Sequence, residues 1–210
     1  MNEEKILSRT KSKRKKLIVE NAYKMFLERG ISATSMNDIA EACDITRRTI
    51  YNYFESKTDL LNYLMVEVTS AVDPDFHIQY DENKSGIENM KMALQTNFES
   101  YYGHITDFLF ITQVRIYLSY RLKRRADDDE KSYEMHRVFI SELTNIINEG
   151  YIDGTITKKE MKPREIAKLI YQSLYGYLSN ITIGTNLEKA EYDEKCQKFK
   201  MMIIGYLESK

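Results

Sequence analysis

The scarcity of turn-forming residues is the sequence feature that most limits how this chain can fold. Eight glycines and two prolines occur among 210 residues, which is little turn chemistry for a fold rich in β-hairpins. Apolar residues recur at helical spacing along almost the whole chain, and strict alternation is nowhere sustained. Because 42% of the residues are hydrophobic, there is enough apolar material for a packed core. The sequence therefore predicts an all-α protein of about nine helices.

Membrane, secreted and metal-dependent proteins have sequence features that this chain lacks. No continuous apolar run reaches about 18 residues, the length that spans a bilayer. The first residues, MNEEKILSRTKSKRKK, are charged where a secretory signal would be apolar. The two cysteines, Cys43 and Cys196, have neither CxxC spacing nor a nearby histidine. We therefore expect a cytoplasmic location, no membrane partner, no disulfide, no metal ion and no cofactor.

The net charge of −1 conceals two parts of opposite sign. Residues 1–58 contain 12 Lys and Arg against 8 Asp and Glu, a net charge of +4, whereas residues 59–210 contain 19 against 24, a net charge of −5. Seven cations lie between residues 5 and 16: Lys5, Arg9, Lys11, Lys13, Arg14, Lys15 and Lys16. Such a segment is a plausible footprint for phosphates. We predict a basic domain, residues 1–58 with a basic arm over 1–16, and an acidic domain, residues 59–210.

Residues typical of helix ends divide the basic domain into short helices. A first helix is predicted over residues 10–29, and Gly30 after it suits the left-handed residue that often terminates a helix. Three capping signals then place Ser or Thr just before a helical segment. These signals are Ser35 with Asp38, Thr46, and Ser56 with Asp59.

The segment from Met36 to Phe54 has the spacing of a helix-turn-helix unit, with a break at residues 44–46. The residues predicted to face inward are Ile39, Ala40, Ile45, Ile50 and Phe54. Those predicted to face outward are Arg47, Arg48, Thr49, Tyr51, Asn52 and Tyr53. Arginine can donate two hydrogen bonds to guanine, Asn can pair with adenine, and Thr and Tyr hydroxyls can reach phosphates. The outward face therefore has the donors that recognition of a DNA groove needs.

This segment and its flanks resemble the DNA-binding domain of the tetracycline-repressor (TetR) family over about residues 13–62. The family pattern is an apolar helix, Arg-Gly, a Thr-Ser entry, Ile-Ala, a turn, and then Thr-(Leu/Ile)-Tyr, Phe and Lys. The matching residues are Phe26, Arg29, Gly30, Thr34, Ser35, Ile39, Ala40, Ile45, Thr46, Thr49, Ile50, Tyr51, Phe54 and Lys57, followed by Leu60 and Leu61. The resemblance implies an N-terminal three-helix helix-turn-helix domain and a larger C-terminal helical domain for ligand binding and dimerisation.

The resemblance also implies roles for individual residues of the DNA-binding face. The residues expected to contact backbone phosphates are Tyr51, Lys57, Thr34 and Thr49. The residues expected to approach bases are Arg47, Arg48 and Asn52, with Tyr53 beside them.

Three positions depart from the family pattern, and several roles stay open. Asp44 replaces the usual turn glycine, which is tolerable because Asp visits the left-handed region more readily than most residues. Arg48 replaces a small residue and Tyr53 replaces the usual His, so the operator sequence does not follow by analogy. Tyr53 could instead pack beside Phe54, Thr49 could act only within its helix, and either arginine could contact phosphate. The basic arm is either solvated and disordered or follows the minor groove or backbone.

Helical segments also fill the acidic domain. A helix over about residues 57–71 is followed by an aperiodic connection over 73–86. Further helices are predicted over about residues 87–103, 105–124, 129–149, 163–183 and 188–208.

The last two helices carry wide apolar stripes that suit a bundle formed with a partner. The resemblance implies that these helices pair across a two-fold axis, and the spacing of DNA half-sites independently favours a dimer. The predicted dimer interface comprises Ile166, Ile170, Leu174, Tyr177, Leu178, Ile181, Phe199, Ile203 and Tyr206. The alternative is that these stripes form intramolecular core, and part of each stripe must do so. Cys196 lies on the second stripe and is predicted to be a small buried hydrophobe.

The resemblance further implies a small-molecule pocket enclosed by helices 5 to 8. The sparse polar and aromatic residues of the segment after residue 97 suit its lining, and they are Tyr102, His104, Phe108, Gln113, Arg115 and Tyr117. Packing or surface pairing is the alternative for each of them. Arg115 lies within an apolar stretch, where burial would require an anionic partner.

These observations predict a homodimeric transcriptional regulator that binds a pseudo-palindromic double-stranded DNA operator. We expect a repressor that a small-molecule effector of unknown identity releases from the operator. One alternative is a DNA-binding regulator or architectural protein without an effector. Another is an enzyme that uses His104, Asp107 or His136 as an acid or base, but no paired carboxylates, nucleophile motif or phosphate loop supports it.

Overall fold

A computed structural model describes residues 2–72, 78, 80–122, 130–184 and 187–210. In these residues the protein forms nine α-helices and no strand, which confirms the all-α prediction. The helices are α1 (Asn2–Arg29), α2 (Met36–Ala42), α3 (Arg47–Tyr51), α4 (Lys57–Val72), α5 (Gly86–Gly103), α6 (Ile105–Leu122), α7 (Glu130–Asp153), α8 (Pro163–Thr182) and α9 (Lys189–Glu208).

The start of α1 differs from the prediction. The helix begins at Asn2 and not near residue 10, so the basic arm is helical. The physical reason is that no Gly or Pro precedes Gly30, while Lys, Arg, Glu and Leu, all good helix formers, are frequent in this segment. The side chains of Lys5 and Arg9 lie outside the described part of the structure.

The predicted helix ends of the basic domain are confirmed. Gly30 has φ 82° and terminates α1. Ser35 caps α2 through a reciprocal capping box with Asp38, and the Thr46 side chain accepts a hydrogen bond from the Thr49 amide at the start of α3. The Ser56 hydroxyl accepts a hydrogen bond from the Asp59 amide at 3.1 Å. Local side-chain chemistry therefore sets where these short helices begin.

The chain divides into two compact units, and each has its own core. The first unit comprises Met1–Thr69 and Phe110–Asp128, and the second comprises Ser70–Leu109 and Asp129–Lys210. This division differs from the predicted boundary after residue 58. The physical reason is that α4 continues the first core and that α6 contributes three buried residues to it, Phe110, Val114 and Leu118.

The core of the first unit is built from one face of each of its helices. Ile18, Ala22 and Phe26 of α1 are fully buried and lie four residues apart on one face of the helix. Ile39 and Ile50 bring α2 and α3 onto the same core. One side of the helix-turn-helix therefore packs against α1, α4 and the second half of α6, and its opposite side is exposed.

A close crossing of α5 and α7 is a central feature of the second unit. A Cβ atom added to Gly86, at the start of α5, would lie 2.3 Å from the backbone N and Cα of Gly150 in α7. The Gly86 amide donates a hydrogen bond to the Asp153 carboxylate at 2.7 Å, and the Ile87 amide donates to the Thr155 hydroxyl at 3.2 Å. Hydrogen bonds from the Thr155 hydroxyl and from the amides of Gly86 and Thr155 lower the pKa of Asp153.

The structure corrects the predicted dimer stripe. Six of the nine predicted interface residues are buried within one protomer: Ile166, Ile170, Leu174, Leu178, Phe199 and Ile203. Tyr177 also packs internally, because its ring stacks on that of Phe199 with 4.9 Å between centroids. Ile181 is half-buried and Tyr206 is exposed. The stripe is therefore largely intramolecular core, because helical spacing identifies a buried face but not what covers it. Cys196 is buried, as predicted.

A different face of α8 and α9 is exposed. Its large apolar residues are Leu169 and Ile183 of the α8 region and Met201, Met202 and Tyr206 of α9. Gly176 and Gly205 lie exposed between them, and a Cβ atom at either position would meet nothing within 4 Å. We call this surface the α8–α9 face.

Candidate functional site

The turn between α2 and α3 sets the angle at which α3 is presented. Asp44 has φ 51°, in the left-handed region that the sequence predicted for this position. The Ile45 amide then donates a hydrogen bond to the Ala40 carbonyl at 3.0 Å, which closes the turn back onto α2. At the other end of α2, hydrogen bonds from the Ser35 amide and hydroxyl lower the pKa of Asp38. Asp38 therefore stays ionised as the capping partner near neutral pH.

The outward face of α3 presents cationic and amide donors to solvent. Arg47, Arg48 and Asn52 are exposed, and Tyr51 is 39% exposed. The Arg47 guanidinium lies 5.8 Å from the centroid of the Tyr51 ring, so these two side chains support each other on the surface. The structure thus brings together the predicted base-reading residues, although their contacts with DNA remain predictions.

The side chains of Thr49 and Tyr53 are less accessible to a partner than those of Arg47 and Arg48. The Thr49 hydroxyl lies 2.8 Å from the Thr46 hydroxyl, within the cap of α3. Tyr53 is partly buried against the core of the first unit. These contacts favour the alternatives stated for both residues, namely a role within the helix for Thr49 and a packing role for Tyr53.

The structure corrects the expectation for Thr34. Its side chain is 1% exposed, and its hydroxyl donates a hydrogen bond to the Gly30 carbonyl at 2.9 Å. This contact fixes the turn that joins α1 to α2. Thr34 therefore stabilises the turn and does not present its hydroxyl to a phosphate.

Lys57, another predicted phosphate contact, binds within the first unit. Its ammonium donates a hydrogen bond to the Ile31 carbonyl in the α1–α2 turn. The same ammonium lies 5.3 Å from the centroid of the Tyr117 ring and 5.9 Å from that of Phe26. Lys57 therefore joins the start of α4 to α1, α6 and the turn before α2.

We expect Lys57→Ala to lower the stability of the first unit. Loss of a charged hydrogen bond and of two cation–π contacts should cost about 1–2 kcal/mol. Thermal unfolding monitored by circular dichroism measures this loss. Lys24→Ala is the matched control, because Lys24 is exposed on α1 and pairs only loosely with Glu28 at 3.8 Å. Equal melting temperatures for the two variants would contradict the structural role of Lys57.

The predicted ligand residues are divided between the two units. Phe108 lies in the second unit and stacks on Tyr101 with 4.6 Å between centroids. Tyr102 packs on Tyr192, and the His104 Nδ1 atom lies 3.2 Å from the Asp107 carboxylate. The remaining three residues belong to the first-unit part of α6: Gln113 is exposed, Arg115 is half-buried, and Tyr117 contacts Lys57. The side chain of His136 lies outside the described residues.

The sequence interpretation missed a polar aromatic cluster in the second unit. Its rings are those of Tyr101, Phe108, Phe139, Tyr171 and Tyr175. The Tyr175 hydroxyl donates a hydrogen bond to the Asn97 amide oxygen at 3.2 Å, and burial raises the pKa of Tyr175 well above its ordinary value. The spacing of Tyr171 and Tyr175, four residues apart on α8, was the available signal.

One polar atom beside this cluster lacks a hydrogen bond within the described part of the chain. The Ser100 Oγ atom is buried, and it lies three residues after Asn97 on the same side of α5. The Tyr101 hydroxyl has long contacts, 3.4 Å to Ser179 and 3.5 Å to Thr182. Buried hydroxyls with weak or missing partners leave hydrogen-bonding capacity inside an apolar core.

None of the helices in the described ranges is long and apolar enough to cross a membrane.

Several sequence matches are short, and that of the family model lies on the helix-turn-helix and its flanks. The family model described as bacterial regulatory proteins of the tetR family matches residues 18–64. The probable acrEF/envCD operon repressor of Escherichia coli is 42% identical over 53 residues, which are 25% of this chain and 24% of that protein. The matched segment is thus about a quarter of that relative's length.

Longer but weaker similarity extends along the chain. The HTH-type transcriptional repressor KstR2 of Mycobacterium tuberculosis is 25% identical over 154 residues, 70% of this chain and 73% of that protein. A solved structure of KstR2 has a TM-score of 0.63 at 19% identity and covers 94% of this chain and 96% of its own. A tetR-family regulatory protein from Rhodococcus has a TM-score of 0.69 at 13% identity, with 94% and 98% covered.

The arrangement of α2, the turn at Asp44 and α3, with the exposed donors of α3, is that of a helix-turn-helix domain. The family model matches residues 18–64, which run from the second half of α1 to the first half of α4. The helix-turn-helix segment is thus similar to the DNA-binding domain of the tetR family of bacterial regulatory proteins.

Proposed function

We propose that this chain acts as a homodimer that binds a pseudo-palindromic DNA operator and leaves it when a small-molecule effector binds the second unit. The observation that carries the proposal is the exposed row of Arg47, Arg48 and Asn52 on a capped, well-supported α3. Selection of bound sequences from a random DNA library tests operator binding. Enrichment of a two-fold symmetric sequence supports the proposal, whereas enrichment of none defeats it.

We expect Arg48→Ala to change which base is preferred at one position of each half-site. An exposed arginine at the start of the reading helix can bind guanine through two hydrogen bonds, and its loss costs about 1–3 kcal/mol at that position only. Binding to an operator and to its single-base variants measures the effect. Lys24→Ala serves as the control, since it removes a cation from α1 outside α3. A uniform loss across all the DNA variants would instead assign Arg48 to a phosphate.

The homodimer is supported by the α8–α9 face. Helix-turn-helix proteins usually read two half-sites about one helical turn apart, which requires two reading helices related by a two-fold axis. A face with Leu169, Met201 and Met202 exposed in one protomer is the surface that a second copy would cover. This surface replaces the buried stripe as the proposed interface.

Effector binding is supported by the polar aromatic cluster of the second unit. Tyr101, Tyr175 and Asn97 place hydroxyl and amide groups among apolar rings, and the Ser100 hydroxyl is without a partner in the described residues. Such sparse polar groups within an apolar lining are typical of small-molecule sites. Proteins with a similar fold include the ketosteroid regulator KstR2 and AibR, whose structure contains isovaleryl coenzyme A and operator DNA.

A thermal-shift screen of metabolites tests for an effector, followed by release of a labelled operator. Tyr175→Phe retains the ring but removes the hydroxyl that donates to Asn97, so it should weaken any effector that uses this group. Tyr120→Phe is a matched control, because Tyr120 is 84% exposed. If no compound stabilises the protein or weakens DNA binding, the chain acts as a regulator without an effector.

A further inference from the structure

The N-terminal part of α1 extends beyond the core of the first unit. The helix has 28 residues, but Ile18 is the first buried residue along its described side chains. At 1.5 Å per residue, the part before Ile18 is about 24 Å long. From residue 10 to residue 17 every side chain is exposed except Lys15, which is half-buried. Packing within this unit therefore does not account for the helix between residues 10 and 14, where every side chain is exposed.

The extension is strongly cationic. Lys11, Lys13 and Arg14 are all exposed. Lys16 lies 3.7 Å from the Glu20 carboxylate, but both side chains are more than half exposed, and such surface pairs contribute little. The charges of the extension therefore remain available to a partner, and seven cations within residues 5–16 favour a polyanion.

The C-terminal end of this extension, at Lys15, lies beside the end of α3. The Lys15 ammonium is 3.7 Å from the centroid of the Tyr63 ring and 5.5 Å from that of Phe54. Phe54 is buried three residues after the end of α3. The two cation–π contacts fix the helix at this point. The exposed cations of residues 11–14 thus begin within one turn of a residue anchored next to the helix-turn-helix.

We propose that the exposed turns of α1, residues 10–16, form a second DNA-binding element that contacts phosphates beside the bases read by α3. The inference rests on the proposed DNA-binding function. A helix is about 10–12 Å wide with its side chains, whereas the minor groove of B-DNA is about 6 Å wide. The helical arm therefore follows the sugar-phosphate backbone and does not enter the minor groove. Its contribution to affinity is independent of sequence.

The salt dependence of binding to a mixed-sequence 40-base-pair duplex tests this inference. The variant K11Q/K13Q/R14Q removes three charges and keeps the helix, because Gln is about as good a helix former as Lys. Each lost phosphate contact should reduce the slope of log K against log salt by about 0.9. We expect a total reduction of about 2–3 and an affinity at least about tenfold lower at 100 mM salt.

The control removes the same net charge from the second unit. Lys84, Lys158 and Lys162 are exposed there. If the position of the charges determines binding, and not the net charge of the chain, K84Q/K158Q/K162Q should have the same slope of log K against log salt as the unaltered protein. A conservative variant, K11R/K13R/R14K, should also keep it. Circular dichroism checks that α1 remains helical in all variants.

The possible outcomes separate the inference from the proposed function. An unchanged slope in K11Q/K13Q/R14Q would overturn the inference while leaving the helix-turn-helix as the DNA-binding element. An equal reduction in the unit-two control would overturn it too, since net charge alone would then explain the result. If the unaltered protein fails to bind DNA at 50 mM salt, the proposed function itself is wrong.

Discussion

Gly86→Ala is expected to unfold the second unit or to destabilise it by about 3 kcal/mol or more. The added Cβ atom would lie 2.3 Å from two backbone atoms of Gly150, and backbone atoms cannot move aside as the end of a side chain can. Separating α5 from α7 would also break the hydrogen bonds from Gly86 to Asp153 and from Ile87 to Thr155. Urea unfolding followed by circular dichroism measures the loss.

The matched control lies on the same helix. Gly103 ends α5, and a Cβ atom there would meet nothing within 4 Å. Gly103→Ala should therefore leave the free energy of unfolding unchanged or raise it by about 0.5 kcal/mol, because Ala favours the helix over Gly. If Gly86→Ala proved as stable as Gly103→Ala, the close approach of α5 and α7 would be refuted.

If the chain forms the proposed homodimer, Gly176→Glu is expected to convert it into monomers at micromolar concentration. Gly176 is exposed on α8, seven residues after Leu169 and seven before Ile183, both of which are exposed as well. Two carboxylates brought together across a two-fold axis would be buried without partners, which should raise the dimer dissociation constant about 100-fold or more. Affinity for a two-fold symmetric operator should fall with it. Sedimentation velocity and operator binding measure the two effects.

The protomer itself should tolerate this change. No atom lies within 4 Å of the new Cβ position, and Glu is a better helix former than Gly. Ile152→Glu is the control, since Ile152 is 79% exposed on α7 and receives the same charge outside the α8–α9 face. A dimer that persists in Gly176→Glu, or one that dissociates equally in Ile152→Glu, would show that the interface lies elsewhere.

Much of the first unit could be predicted from the sequence because its helix ends depend on local chemistry. Ser35, Thr46 and Ser56 each accept a hydrogen bond from an amide three residues later, and Gly30 needs only its own backbone freedom. Such features involve neighbours in sequence, so a short segment contains the information. The same holds for the left-handed conformation of Asp44.

Features that depend on distant partners could not be predicted in this way. The spacing of Ile166, Ile170 and Leu174 indicated a buried face, but the same spacing serves a dimer interface and an internal core. Lys57 matched a position that contacts phosphate in the family pattern, yet its ammonium donates a hydrogen bond to the carbonyl of Ile31, 26 residues earlier in the chain. The predicted pocket residues of α6 lie in two different units for the same reason, since one helix supplies residues to both.

The two glycines at the α5–α7 crossing should follow different evolutionary paths. The three atoms nearest to a Cβ atom on Gly150 would all belong to the Ile156 side chain, at 2.5 to 2.8 Å, and one of them is its Cβ, so glycine at position 156 could compensate for alanine at position 150. Gly86 meets backbone and has no such suppressor. Homologous sequences should therefore show covariation between positions 150 and 156 but an unvarying glycine at position 86.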